Sequence, residues 1–175
     1  MPDDLDDIEA CFSPGVSDIS GFEKDCANLG MKVFMADRSV DHPIETHEKF
    51  KFTKKYVGIT TNKDFMTIDD WVRLSLPKSE KDLILQIDVE SYEYEIFIGM
   101  SDSLLKRFRI IVVEFHGLHQ LWNKPFFSLS SRVFDKLLQT HKCVHIHPNN
   151  QRKTITKGGV VVPQLAEFTF LRNDR

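Results

Sequence analysis

The chain has 175 residues, 41% of them hydrophobic and 28% charged, and a formal net charge of −3 at pH 7. These values are typical of a single soluble domain, and they argue against a protein that binds nucleic acid through an overall basic field. Three cysteines without a CxxC spacing argue against a disulfide framework and a cysteine-rich zinc site. No apolar run is long enough to span a membrane.

The chain opens on an acidic segment, which is the reverse of a signal peptide, so we expect a cytoplasmic protein. We expect residues 1–8 to be a frayed acidic lead-in and residues 9–175 to form one domain.

A strand, a helix and a second strand follow the lead-in. Residues Ile8–Phe12 have strand character, and Ser20 with Glu23 three residues later predicts a capping box at the start of a helix. The strand Lys32–Ala36 then ends at Asp37, which completes a β-α-β unit.

Strands and helices continue to alternate, which predicts an α/β sheet with right-handed crossovers. The remaining expectations, in chain order, are strand character over Phe50–Ile59, a helix Ile68–Leu76 capped by Thr67, a strand Leu83–Val89, helices Tyr92–Gly99 and Asp102–Arg107, a strand Ile110–Phe115, a helix Ser128–His141, a strand Lys142–Ile146, a polar loop Pro148–Gly159 and a last, antiparallel strand Glu167–Leu171.

Acidic and imidazole side chains stand where three of these strands end. Asp88 and Glu90 close one strand, Glu114 and His116 close the next, and His145 lies in a third. Continuous apolar runs suit strands buried on both faces of a parallel sheet, whose carboxyl ends border the ligand crevice. Because Asp88 and Glu90 are two residues apart, a regular strand would point both to one face, where a cation would relieve their repulsion.

Four segments of the chain together form a recognisable series. They are Thr67-Ile68-Asp69-Asp70-Trp71, Ile87-Asp88-Val89-Glu90 with the following Tyr92-Glu93-Tyr94-Glu95, Val113-Glu114-Phe115-His116, and His145-Ile146-His147-Pro148-Asn149-Asn150. With the segment order over roughly residues 9 to 172, this series resembles the FkbM-type family of S-adenosylmethionine-dependent methyltransferases. Two positions depart from the family pattern: Ser91 stands where the family has a glycine after the carboxylate pair, and Gly15 is alone in a turn that is usually glycine-rich.

This resemblance implies an α/β, Rossmann-like, doubly wound and mostly parallel sheet with an antiparallel C-terminal strand, in three αβα layers. It implies S-adenosylmethionine as cofactor, with the loop 60–65 near the adenine ring. The residues implied in cofactor binding are Ser13 and Gly15 at the methionine end, Asp37 at the ribose, and Asp88 at the junction with the acceptor. The candidate catalytic residues are Glu90 at the same junction, and His116 or His145 as the base, because a neutral imidazole can take a hydroxyl proton near physiological pH.

The main hypothesis is therefore a methyltransferase that acts on oxygen of a small hydroxylated or carbohydrate-like acceptor. We expect no nucleic acid, no membrane and no metal as partners, and a homo-oligomer remains open. One alternative is a binding domain that has the fold without catalysis, which Ser91 and the glycine-poor turn motivate. Another is a metal-dependent hydrolase built on Asp88, Glu90, Glu114, His116 and His147.

Overall fold

The computed structural model describes residues 2–16, 20–150 and 153–175. Its elements alternate along the chain much as the sequence predicts. The strands are β1 (Ala10–Pro14), β2 (Lys32–Ala36), β3 (Phe50–Thr53), β4 (Tyr56–Gly58), β5 (Phe65–Thr67), β6 (Leu83–Ile87), β7 (Phe108–Phe115), β8 (His141–Pro148), β9 (Thr154–Lys157), β10 (Val160–Pro163) and β11 (Ala166–Arg172). The helices are α1 (Gly21–Asn28), α2 (Ile68–Ser75), α3 (Glu93–Gly99), α4 (Asp102–Leu105) and α5 (Lys124–Leu138), with a short 3₁₀ helix at Leu118–Gln120.

Seven strands form the central sheet in the order β3-β2-β1-β6-β7-β11-β8. Strand β11 runs antiparallel to both of its neighbours there, β7 on one side and β8 on the other. The chain winds outward from β1 through β2 to β3, and then restarts from β6 on the other side of β1. This reversal makes the carboxyl ends of β1 and β6 the place where such sheets bind ligands, and it confirms the predicted fold class.

Both faces of the sheet are covered, because alternate residues of a strand point to opposite faces. Phe12 of β1 packs with α2 and α3 in the larger core, whereas the adjacent Cys11 packs with α1 in the smaller one. Both side chains are fully buried. The continuous apolar runs of the sequence are thus explained by burial on two faces rather than one.

Four local predictions are corrected by the structure. The capping box is wrong, because Ser20 makes no side-chain cap bond and Glu23 turns inward instead. The helix predicted from Ser128 begins at Lys124, since Asn123 caps its N-terminus and a proline suits its first turn. The strand predicted to reach Val89 ends at Ile87. The loop predicted over residues 148–159 contains β9, which pairs with β10 in a hairpin.

The N-terminal segment lies against the sheet's amino end. Ile8 is buried, and the guanidinium of Arg109 donates to the backbone oxygens of Asp4 and Asp6. The division of the chain at residue 8 stays a prediction. Among the described residues, no helix is both long and apolar enough to cross a membrane.

Candidate cofactor and catalytic site

A cavity of about 540 Å³ opens at the carboxyl ends of β1, β2 and β6. This volume lies within the range of pockets that hold small molecules and cofactors. Four of the sequence-predicted site residues are in its wall, namely Gly15, Asp37, Asp88 and Glu90. The other lining residues are Val16, Ala36, Ser39, Tyr56, Val57, Phe65, Val89 and Tyr92.

Gly15 is the point where the first turn touches the end of β6. Its φ is +88°, and a Cβ built on it would lie 1.6 Å from the backbone oxygen of Asp88. The turn is held there by backbone hydrogen bonds from Gly15 to Ala36 and from Asp88 to Pro14. Only glycine satisfies both the left-handed conformation and this close approach, so the single glycine of the turn stands at the position that requires one.

Asp37 follows β2 and is fixed by three hydrogen bonds. Its Oδ2 accepts from the backbone N–H of Val16 over 3.1 Å, and its Oδ1 accepts from the N–H and hydroxyl of Ser39 over 2.7 and 2.6 Å. The carboxylate thus links the first turn to the loop after β2, and it remains in the cavity wall. A carboxylate oxygen has more than one lone pair, so Asp37 can still accept from a ligand hydroxyl.

An apolar wall closes one side of the cavity. Tyr56 and Val57 on β4 and Phe65 on β5 form it, and the rings of Tyr56 and Phe65 lie 5.4 Å apart between centroids. The sequence placed the loop 60–65 near the adenine ring, but it did not single out Tyr56 or Val57. The sequence pattern predicts the strand character of Tyr56 and Val57. It does not predict that their strand pairs with β5 across the intervening loop.

His116, directly after β7, stands at the centre of a group of carboxylates. Its Nε2 lies 3.5 Å from Oε2 of Glu90, 3.6 Å from Oε2 of Glu114 and 3.9 Å from Oδ1 of Asp88. We call these four residues the His116 cluster. Asp88 and Glu90 belong to both the cluster and the cavity wall, so the two features are continuous.

Glu93 holds the imidazole from behind. It is fully buried at the start of α3, and its Oε1 accepts from Nδ1 of His116 over 3.1 Å. The same oxygen also accepts from the backbone N–H groups of Val89 and Ser91. The sequence analysis does not place Glu93 among the site residues. A buried acid in the first turn can be recognised only once the helix is placed against β7.

Surroundings shift two of the cluster's titrating groups. Burial, together with the nearby Glu114 and Glu90 carboxylates, raises the pKa of Asp88 to about 6, although His116 acts in the opposite direction. The hydrogen bond to Glu93 raises the pKa of His116 to about 9, despite burial. His116 therefore carries a proton at neutral pH when no ligand is bound, as expected for an imidazole surrounded by carboxylates.

The turn that delivers Asp88 and Glu90 is not a regular strand, as the sequence reading had assumed. Glu90 and Ser91 have φ values of +51° and +83°. The left-handed turn brings Glu90 back toward His116. Asp88 and Glu90 therefore approach the same imidazole because of this turn, and not because alternate residues of a strand share a face. Ser91 adopts the conformation that the family's glycine would adopt with less strain.

Two predicted site residues lie outside this arrangement. Ser13 is fully buried, and its hydroxyl contacts Oε1 of Glu23 at 2.5 Å and Oε1 of Gln86 at 2.7 Å. His145 is exposed on the edge strand β8, where its ring stacks on that of His147. From the same region Asn149, which was not assigned to the site, reaches Oε1 of Glu114 through its Nδ2 over 3.3 Å.

The sheet order, the reversed β11 and the cavity at the switch point define a Rossmann-like methyltransferase fold. A DNA modification methyltransferase encoded within an Escherichia coli prophage has a similar structure, with a TM-score of 0.55 and 9% identity over 95% of this chain. This chain spans only 47% of that protein. A TehB-like SAM-dependent methyltransferase from Corynebacterium glutamicum matches with a TM-score of 0.44 and 11% identity, over 95% of this chain and 82% of that one.

The methyltransferase FkbM domain model matches residues 16–146, more than half of the chain. The chain therefore belongs to the FkbM methyltransferase family, as the sequence resemblance predicted. No curated protein is significantly similar to it in sequence.

Proposed function

We propose that this protein is an S-adenosylmethionine-dependent methyltransferase that acts on oxygen of a small hydroxylated or carbohydrate-like acceptor. The observation that carries the proposal is the cavity at the β1–β6 switch point, with Gly15 and Asp37 on one side and Asp88 and Glu90 on the other. Family membership supports the methyltransferase class. The oxygen acceptor is the finer part of the proposal and depends on the polar groups beside the cavity.

The cavity fits the cofactor in size and in the order of its walls. Asp37 would accept from the ribose hydroxyls, and the apolar Tyr56, Val57 and Phe65 would face the adenine ring. The turn at Gly15, which lines the same cavity, would border the methionine end. When bound, the cofactor supplies a methyl group on a positively charged sulfur.

The acidic junction would place the acceptor. Asp88 and Glu90 can accept hydrogen bonds from acceptor hydroxyls, and their charge suits a cationic donor group. The acceptor must also lose a proton. His116 already holds one at neutral pH, so it can serve as the base only after something has displaced that proton. The base role of His145 stays a prediction, because its exposed place on β8 brings it no described contact with the His116 cluster.

Calorimetric titration with S-adenosylmethionine tests the proposal. We expect saturable binding, and we expect Asp37→Asn to weaken it by about tenfold or more, since hydrogen bonds to a charged group are worth roughly 1.5 to 3 kcal/mol. Asp135→Asn is the matched control, because Asp135 is exposed on α5 away from the cavity lining. Absence of heat at millimolar cofactor would contradict the proposal.

A binding domain without catalysis is the second candidate, and Ser91 is the observation that favours it. The first candidate predicts that S-adenosylmethionine binds and that its methyl group is transferred to a hydroxylated acceptor. The second predicts a stable fold with weak or absent cofactor binding and no transfer. We also propose the cytoplasm as the compartment, since Cys11, Cys26 and Cys143 are all free thiols.

A further inference from the structure

We propose that Asp88, Glu114 and His116 form a binding site for one divalent cation, of the Mn²⁺ or Mg²⁺ type, beside the cofactor cavity. One ligand atom from each of the three residues lies within 4.8 Å of the other two. Carboxylates are the donors that Mn²⁺ and Mg²⁺ prefer, and imidazole is a common ligand of first-row transition-metal ions, so Mn²⁺ is the better probe of this mixed set.

The separations match a shared ion. Atoms that bind one such ion at about 2.1 to 2.2 Å can be no more than about 4.4 Å apart. Nε2 of His116 lies 3.6 Å from Oε2 of Glu114 and 3.9 Å from Oδ1 of Asp88, so both pairs fall inside this limit. Side-chain movements of a few tenths of an ångström would complete the coordination.

The contacts around Asp88, Glu114 and His116 indicate a bound ion for reasons other than the acidity of the cluster. Glu93 is fully buried and aims at His116, where it fixes Nδ1 and so directs Nε2 at the carboxylates. A carboxylate behind a histidine in this way is the common support of metal-binding imidazoles. Two buried oxygens there, Oδ1 of Asp88 and Oε2 of Glu93, have no hydrogen-bond partner.

Positive charge is scarce around these acids. Over residues 2–16, 20–150 and 153–175, no Lys or Arg forms an ion pair with Asp88, Glu90, Glu93 or Glu114. A single imidazole therefore faces four carboxylates. Buried or half-buried charges are normally paired or bound to a metal, and a divalent cation would supply the missing charge at the point where three of these side chains meet.

The site's position suggests what the ion would do, and this step alone rests on the proposed function. Asp88 belongs to the cavity wall, so an open coordination position would face the acceptor. A metal-bound hydroxyl loses its proton more easily than a free one. The ion would thus orient the acceptor oxygen and lower the pKa of its hydroxyl, whose proton would pass to the exposed Glu90 carboxylate or to solvent as the oxygen takes the methyl group from sulfur. His116 would then be a ligand and not the base.

Electron paramagnetic resonance of Mn²⁺ titrated into the full chain, without cofactor, tests the site. We expect one bound ion per chain. Glu114→Gln, which removes a ligand charge at nearly constant volume, should weaken Mn²⁺ binding by at least about tenfold, since even outer-shell changes at metal sites cost about 10- to 100-fold. Glu95→Gln, an equal charge change at an exposed position on α3, should leave it unchanged.

Three results would overturn the site: no bound Mn²⁺ at millimolar concentration, equal binding by the wild type and Glu114→Gln, or equal losses in Glu114→Gln and Glu95→Gln. Thermal denaturation of each variant checks that it is folded. As a second readout, bound Mn²⁺ should broaden the NMR signals of the His116 ring more than those of other histidines, and broadening centred elsewhere would contradict the proposal. Since S-adenosylmethionine is absent throughout, cation binding and cofactor binding can fail separately.

Discussion

The aspartates at the two ends of strand β6 lie in opposite electrostatic environments. Asp82 lies just before the strand and Asp88 just after it. The carboxylate of Asp82 accepts from Nε of Arg109 over 2.8 Å, and from Nη1 and Nη2 of Arg172 over 2.6 and 2.9 Å. We call these three residues the Asp82 network. Asp88 instead lies beside Glu90 and Glu114, and its buried Oδ1 has no hydrogen-bond partner, although Nε2 of His116 is 3.9 Å away.

The titration behaviour follows the same division. Burial works to raise the pKa of Asp82, but the hydrogen bonds from Arg172 and Arg109 outweigh it, and the net shift is downward. Burial and like charges raise the pKa of Asp88. Two aspartates of one strand thus differ because one end of the sheet supplies guanidinium groups and the other supplies carboxylates. At the amino end of β6, which we call the matched end, paired charges stabilise the fold. At its carboxyl end, which we call the unmatched end, the carboxylates lack such pairs, so a bound ligand can supply the missing positive charge.

The largest loss of stability should come from removing the charge of Asp82 at the matched end. Asp82→Asn would leave Arg109, whose side chain is only 3% exposed, without its closest carboxylate. Removing one partner of a buried pair costs about 3 to 5 kcal/mol, and Asp82 is partly exposed, so we expect a loss near the lower value. Urea denaturation measures it, with Asp135→Asn as the exposed control. A loss no greater than the control's would mean that the Asp82 network does not stabilise the fold.

A smaller, pH-dependent effect should follow from the same residue. A carboxyl whose pKa is lowered by folding stabilises the protein above its unfolded value of about 3.9, and that contribution is lost as the pH falls through the folded value. The groups that face Asp82 are Arg109, Arg172 and Arg175, all charged across this range. The stability difference between wild type and Asp82→Asn should therefore be constant near neutral pH and shrink below about pH 4. A difference that grows on acidification would contradict this assignment.

The fold could be predicted from the apolar runs of the sequence. Buried strands such as β6 and β7 must be hydrophobic on both faces, and a chain that alternates them with helices has few possible topologies. Element ends were less accurate, because caps compete with tertiary contacts. Glu23 satisfies the capping pattern with Ser20, yet its carboxylate contacts Ser13 instead.

The site was predictable where it depended on strand ends and not where it depended on packing. Asp37, Asp88 and His116 follow strands, so their position could be inferred from the sheet. Glu93 and Asn149 reach His116 and Glu114 only because α3 and the end of β8 are placed in space. No local pattern distinguishes either residue from an ordinary helix acid or turn amide.

The turn at the unmatched end offers a stabilising change. Ser91 has a φ of +83°, and a left-handed conformation costs a residue with a Cβ about 1 to 2 kcal/mol, part of which glycine gives back as chain entropy. We expect Ser91→Gly to raise the free energy of unfolding by about 0.5 to 1 kcal/mol, which is a few degrees at most in melting temperature for a chain of this size. Ser91→Ala, which keeps the Cβ, should give no gain. Equal effects of both variants would point to the hydroxyl rather than to the backbone.

The smallest effect on stability should come from Asp88 itself, and it is the sharpest contrast with Asp82. Asparagine has nearly the same shape, and Asp88 loses no ion pair with Lys or Arg among the described residues when its charge is removed. The neutral amide relieves repulsion from Glu114 but loses attraction to the His116 imidazolium, and the two changes oppose each other. We therefore expect Asp88→Asn to change the free energy of unfolding by no more than about 0.5 to 1 kcal/mol in either direction. The same variant should weaken Mn²⁺ binding strongly. If Asp88→Asn instead destabilised the protein as much as Asp82→Asn does, the acids at the carboxyl end would belong to the fold, and the difference between the two ends would not mark a site.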